Sequence, residues 1–342
     1  MTAFAPGRVN LLGEHTDYNN GLALPFAVAE GVTVRARATD GERIRARAED
    51  LGEHDEFPLR APPRAEGWRA FVRGVVAECG RAGFEVRAAD LRIAGDVPRG
   101  SGLSSSAALE VALCLALLGL AGEPGERMEL ARLCARVEND WVGAKTGMLD
   151  QLASLWGARE TALRIDFRTL EIEPVGLHLG GWRFVVADSG EHHANASSGY
   201  NERHAQCERA CELLGVVSLR EASAAAVAGL PQPLRARAEH VLGENARVEQ
   251  AVEALRAEDL PAVGSLLDAS HASLRDLFEV STPTVERAVA GLREDGAAGA
   301  RLMGGGFGGS VLGLFAPDVP VPSGAREVRP GPGAHLLAVE AA

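Results

Sequence analysis

With 342 residues, 46% of them hydrophobic and 24% charged, the chain is long enough for two domains and has the composition of a folded globular protein. Its formal net charge of −12 repels nucleic acid and anionic membranes, so neither is expected as a partner. The longest apolar run, Val111 to Ala121, falls short of the ~20 residues that cross a bilayer, and the N-terminus lacks a basic-then-apolar signal pattern, so a cytoplasmic protein is expected.

In chain order, the stretch from Ala5 to Tyr18 crowds Arg8, Glu14, His15 and Asp17 among turn residues. Carboxylates and an imidazole on a loop can orient the vicinal hydroxyls of a polyol. A solvated loop and a metal site are the other readings of the same residues. Thr33 to Ala38 and Ile44 to Ala48 each alternate in character around Asp40-Gly41, which predicts a β-hairpin. Leu91 to Val97 repeats the period of two and then gives way to glycine and serine before an apolar helix from Ala107 to Leu118. A second helix is predicted from Glu126 to Trp141, with Leu130, Leu133, Val137 and Trp141 on one face. Further helices are expected over Arg203 to Leu214 and Arg235 to Ala257. Gly304 to Gly309 precede a short strand, Val311 to Phe315, and His335 to Val339 reads as a closing strand. The class is α+β with two lobes.

The stretch Pro98 to Ala107 places Gly100, Gly102 and four serines at the mouth of a helix, where unpaired N–H groups and the helix dipole favour an anion. Phosphate binding is one reading and ordinary N-capping the other. A Walker A loop is excluded, because Lys145 is the sole lysine and no Gly-Lys pair exists. A dinucleotide fingerprint is also disfavoured, since its third glycine position holds Ser105 and the preceding strand alternates instead of being uniformly apolar. The cysteines, Cys79, Cys114, Cys134, Cys207 and Cys211, are odd in number and scattered, so they are expected reduced. His204, Cys207 and Cys211 could be grouped as a metal site, but Cys207, Cys211 and Leu214 share a helical stripe, the usual mark of core packing.

Taken together, Gly7 to Asn19, Pro98 to Ala107 and Gly299 to Gly309 resemble, in order and spacing, the motifs of the GHMP kinases, and within them those of the galactokinases. The resemblance extends through Gly147-Met148-Leu149-Asp150-Gln151 and Ser198 to Arg203, and so covers nearly the whole chain. It implies a two-lobed GHMP kinase fold with the active site in the cleft between a domain of residues 1–165 and one of 166–342. It implies ATP-dependent phosphorylation of the C1 hydroxyl of galactose, the entry step of the Leloir pathway, in a protein expected to be monomeric. The resemblance places Glu14, His15, Asp17, Gly147 and Tyr200 on the sugar, with Asp150 beside the reacting hydroxyl and Arg8 next to Asp150. It places Gly100, Ser101, Gly102, Leu103, Ser104, Ser105 and Ser106 around the triphosphate, and Ser106 with Glu138 on Mg²⁺. A kinase for a related hexose such as N-acetylgalactosamine and a catalytically silent sugar sensor are the alternatives. Two departures from the family pattern stand out. Met303 occupies a position that is usually threonine, and Lys145-Thr146 replaces the usual pair before Gly147, with Lys145 either salt-bridged or facing solvent.

Overall fold

The structure is a computed structural model, and it describes residues 1–97, 102–191 and 196–337. The first half runs β1 (Thr2–Asn10), β2 (Leu22–Ala23), β3 (Pro25–Ala38), β4 (Arg43–Ala48), β5 (Glu53–Pro58), α1 (Trp68–Arg81), β6 (Ala89–Gly95), α2 (Ser105–Ala121), α3 (Arg127–Arg136), α4 (Leu149–Trp156), β7 (Thr161–Asp166) and β8 (Glu171–Gly176). The second half runs β9 (Arg183–Asp188), α5 (Ala196–Leu214), α6 (Ala224–Val227), α7 (Leu234–Arg256), α8 (Leu260–Asp276), α9 (Pro283–Glu294), β10 (Gly299–Leu302), β11 (Ser310–Phe315), β12 (Arg326–Val328) and β13 (His335–Leu337). Among the described residues these strands form three sheets, ordered β13-β1-β3-β6-β4-β5, β10-β11-β9-β12 and β2-β7-β8. This is the expected α+β class.

The alternation that predicts strands is borne out, but the predicted hairpin is not. Val32, Val34 and Ala36 of β3 and Ile44, Ala46 and Ala48 of β4 are buried, with arginines between them facing out. The two strands do not pair with each other. β6 lies between them, antiparallel to β3 from Val32↔Gly95 to Ala38↔Ala89 and parallel to β4 from Ile44↔Ala89 to Ala48↔Ile93. The tight hairpin is instead β4 with β5. Alternation says which face of a strand is buried and nothing about which edge is occupied, and β6 brings Leu91 and Ile93 to complete the same apolar face.

Apart from the buried Glu110, the middle of helix α2 is apolar all round, with buried residues from Ala107 to Leu118 on every side, which is the pattern of a central helix and not an amphipathic one. It packs against β1, β3, α1, α3 and α4, and this fixes its N-terminus at the cleft. The predicted second helix is α-helical only to Arg136 and continues as a π turn over Val137–Val142. Such single-turn π segments are frequent at functional sites, and this one carries Glu138. Of the predicted closing strand, His335 to Leu337 pair with β1, while Ala338 and Val339 lie outside the described residues.

A shared core joins the halves. Val9, Leu11 and Phe26 belong to the same apolar cluster as Phe184, Val186, Val248 and Leu312. No helix of the described residues is long and apolar enough to cross a membrane.

Candidate active site

The reacting corner is built from three segments. Arg8, on β1, is buried and donates from Nε to Asp150 Oδ1 at 2.7 Å and from Nη2 to Oδ2 at 2.9 Å, a bidentate pair. Asp150 lies in the first turn of α4, where the helix dipole favours its charge. Ser104, immediately before α2, donates its hydroxyl to Asp150 Oδ2. Arg8 also reaches the loop before α2, with Nη1 on the Gly102 carbonyl at 2.5 Å and its backbone N–H on the Leu103 carbonyl at 2.9 Å. That approach explains Gly7, because a Cβ there would lie 2.3 Å from the Leu103 carbonyl oxygen.

The sugar-signature residues converge on the other side of Asp150. One cavity of about 190 Å³ is lined by Arg8, Glu14, His15, Asp17, Glu138, Thr146, Gly147, Asp150, Tyr200, Gly304 and Gly305 among others. Every residue that the resemblance places on the sugar lines it. Glu14 is held from below by Arg301, whose Nη2 sits 2.8 Å from Glu14 Oε1, and by the Gly304 N–H at 2.8 Å. Arg301 is fully buried and spends its other N–H groups on the carbonyls of Asn10, Leu11 and Leu302, so it ties the late glycine loop to the signature. Sequence reasoning gave Arg301 no role. Its signal was an arginine embedded in an otherwise apolar, glycine-rich run.

His15 has a left-handed backbone, φ 61°, and both ring nitrogens have partners inside the protein. Nε2 faces the Gly305 carbonyl at 3.2 Å and Nδ1 faces the Tyr18 hydroxyl at 2.9 Å. A carbonyl only accepts, so the assignment that satisfies both contacts puts the proton on Nε2 and lets Tyr18 donate to Nδ1. Burial, reinforced by His240, lowers the His15 pKa to about 3, so the ring is neutral at pH 7. Its face packs against Tyr200 and Phe278, with ring centroids 5.0 and 4.6 Å away. Asp17 moves the opposite way, raised to about 7 by burial and further by the charges of Asp150 and Glu14. Gly147 is what gives Asp17 room, since a Cβ there would lie 2.2 Å from its Oδ2.

On the far side of the α2 mouth, Ser106 Oγ donates to Glu138 Oε1 at 2.8 Å. Thr146 Oγ1 at 2.8 Å and Gln151 Nε2 at 3.2 Å both donate to Oε2. Burial, then the Asp150 charge, raises the Glu138 pKa. Among the described residues no group of three or more His, Cys, Asp or Glu side chains could hold a metal ion, so the His204, Cys207, Cys211 grouping forms no such site. Cys207 is a buried core thiol, as its helical stripe predicts. A hard cation at Ser106 and Glu138 has one carboxylate and one hydroxyl from the protein and fits there only with phosphate or water oxygens completing its shell, which is how Mg²⁺ is ordinarily held beside nucleotides. Ser105 and Ser106 also line a larger, apolar cavity of about 350 Å³ with Trp68, Phe71, Leu109 and Ile93 among its walls. Of the phosphate-cradle residues, Gly102, Leu103, Ser104, Ser105 and Ser106 are described, whereas Gly100 and Ser101 lie outside the described residues.

Comparison with known proteins gives this geometry its family. A family model for the galactokinase galactose-binding signature matches residues 1–38, one for the GHMP kinase N-terminal domain matches 70–158, and one for the GHMP kinase C-terminal domain matches 251–331. A galactokinase of Mycobacterium tuberculosis is 43% identical over 321 residues, covering 92% of this chain and 88% of the relative. One from Thermotoga maritima is 39% identical over 313 residues, covering 91% and 88%. The crystal structure of Lactococcus lactis galactokinase complexed with galactose superposes with a TM-score of 0.92 at 33% identity, over 98% of this chain and 95% of that one. A Methanococcus jannaschii mevalonate kinase, at 19% identity and a TM-score of 0.71, shares the fold. With that identity spread over almost the whole length, the chain belongs to the galactokinase family of the GHMP kinases.

Proposed function

We propose that the protein transfers the γ-phosphoryl group of ATP to the C1 hydroxyl of α-D-galactose, giving galactose 1-phosphate and ADP as the first phosphorylation of galactose catabolism. The observation that carries this is the Arg8–Asp150 pair, set at the rim of a polar cavity on one side and beside the mouth of α2 on the other. Phosphoryl transfer needs in-line positioning and charge neutralisation more than covalent help, so a fixed acceptor carboxylate between two binding regions supports it.

In this reading Asp150 accepts the hydroxyl proton of the sugar as the new O–P bond forms and the bond to ADP breaks. Arg8 holds both carboxylate oxygens and so fixes the aim of Asp150. Glu14, His15, Asp17, Gly147 and Tyr200 surround the remaining hydroxyls. Hydroxyls need hydrogen-bond partners of both kinds, and the cavity offers the Glu14 and Asp17 carboxylates and the Tyr200 hydroxyl, with the His15 ring as a wall. The stretch from Gly100 to Ser106 takes the triphosphate at the helix mouth, and the apolar cavity beside Trp68 and Phe71 suits the flat faces of the base. Ser106 and Glu138 would hold Mg²⁺, which would supply charge neutralisation at the phosphate oxygens. We assign the division of labour to residues 1–165, which carry the signature and the cradle, and 166–342, which carry the late glycine loop, in a monomeric cytoplasmic enzyme.

A coupled assay of ADP release with Mg²⁺ across a panel of hexoses tests the proposal. Turnover should be highest with galactose. Preference for an N-acetylated hexose would reassign the substrate, and sugar binding without turnover would make the protein a sensor, against which the intact Arg8–Asp150 pair weighs.

A further inference from the structure

Thr146, one of the departures from the family pattern, has no role in the chemistry above, yet it touches both halves of the site. It lines the sugar cavity and donates to Glu138 Oε2 at 2.8 Å. Gln151 makes the same link from the other end of the segment, with Nε2 3.2 Å from Glu138 Oε2 and 3.2 Å from Glu110 Oε2. Glu110 and Gln151 are both fully buried. Lying between two carboxyl groups, the Gln151 amide presents its NH₂ to both. Between Thr146 and Gln151 lie Gly147, Leu149 and Asp150, all on the sugar cavity. The same stretch is tied to the backbone of Glu138, whose carbonyl accepts from the N–H groups of Gly143 at 2.9 Å and Ala144 at 3.1 Å. Segment 143–151 therefore closes a ring on Glu138 through backbone and side chains. All three donors described on the Glu138 carboxylate are neutral, so their geometry and not a charge partner sets its direction.

We propose that Thr146 and Gln151 are positioning residues that couple the acceptor segment to the cation-binding carboxylate, so that galactose and the magnesium nucleotide bind with linked affinities. The inference rests on the function proposed above. Sugar in the cavity orders 147–150, and that holds the Thr146 hydroxyl and the Gln151 amide on Glu138. By reciprocity, a nucleotide complex that draws on Glu138 favours the sugar-ready segment by the same factor.

The test is calorimetric. Galactose affinity is measured alone and with a saturating nonhydrolysable ATP analogue plus Mg²⁺, and the ratio of the two is compared among variants, whatever the absolute affinities. The wild-type ratio should lie in the usual range of coupling, roughly 5- to 150-fold. It should fall toward unity in Thr146→Val and in Gln151→Met, and return in Thr146→Ser, which restores the hydroxyl. A role confined to folding would lower melting temperature or shift both affinities while leaving the ratio intact, and that result in either variant overturns the inference. A wild-type ratio of one in a protein that still phosphorylates galactose also overturns it, and leaves the proposed function standing. A protein that neither binds nor phosphorylates galactose removes both.

Discussion

Asp150 and Glu138 lie either side of the α2 mouth and are held by different chemistry. Asp150 is neutralised inside the protein by a bidentate arginine that is itself buried, and a serine hydroxyl completes its partners. Glu138 is more deeply buried, its donors among the described residues are a serine, a threonine and a glutamine, and burial drives its pKa up. A carboxylate with its counter-charge built in needs no cation to balance it. One with neutral donors alone leaves a charge for a cation to balance. The contrast supports the proposed placing of the two acids on the two sides of a phosphoryl transfer.

Removing the charge of Asp150 should have the largest effect. Asp150→Asn is expected to lower turnover by roughly 10²–10⁴-fold while sugar binding stays measurable, and near-normal turnover would remove Asp150 from the chemistry. Arg8→Lys keeps the charge but loses the planar fork. With one charged hydrogen bond gone, turnover should fall roughly 10- to 100-fold, and a variant with wild-type turnover would make the bidentate geometry irrelevant. At the other acid, Glu138→Gln should act on magnesium dependence more than on galactose. The Mg²⁺ concentration for half-maximal activity should rise by about 10–100-fold, the scale on which metal sites respond to the loss of a supporting group. An unchanged magnesium titration would dissolve the contrast between the two acids.

The smallest effect is a proton. Asp17 has its pKa raised to about 7, so at that pH about half the free protein carries the proton there. Sugar hydroxyls donate more strongly to the ionised form. Galactose affinity should therefore weaken as pH falls below about 7, and binding at pH 7 should release about half a proton. Calorimetry in buffers of differing ionisation enthalpy reads that release, and Asp17→Asn should abolish it. Persistent release in the variant would place the titrating group elsewhere.

Much of this site was legible before the fold. Arg8, Glu14, Asp17, Asp150 and Glu138 stand in recognisable spacing, and the change from an alternating strand to glycine and serine before an apolar helix marked the α2 mouth. The alternating segments β3, β4 and β6 were read correctly as strands, because which face of a strand is buried is a property of its own residues. Their order was not, because β6 follows β5 and α1 in the chain yet lies between β3 and β4, a placement that no strand's own pattern records. The π turn was likewise invisible, since the face of Leu130, Leu133 and Val137 is compatible with an unbroken α-helix until tertiary contacts shift the register.

What the sequence by itself determined was the family and the set of candidate reacting groups, because both rest on residue identity at fixed spacing. What the tertiary structure decided was which groups share a carboxylate oxygen. Arg301 under Glu14 is 287 residues away along the chain, and Thr146 and Gln151 meet on Glu138, which the π turn carries. Such pairings are set by packing between segments, and one segment's composition carries no record of where the other will be.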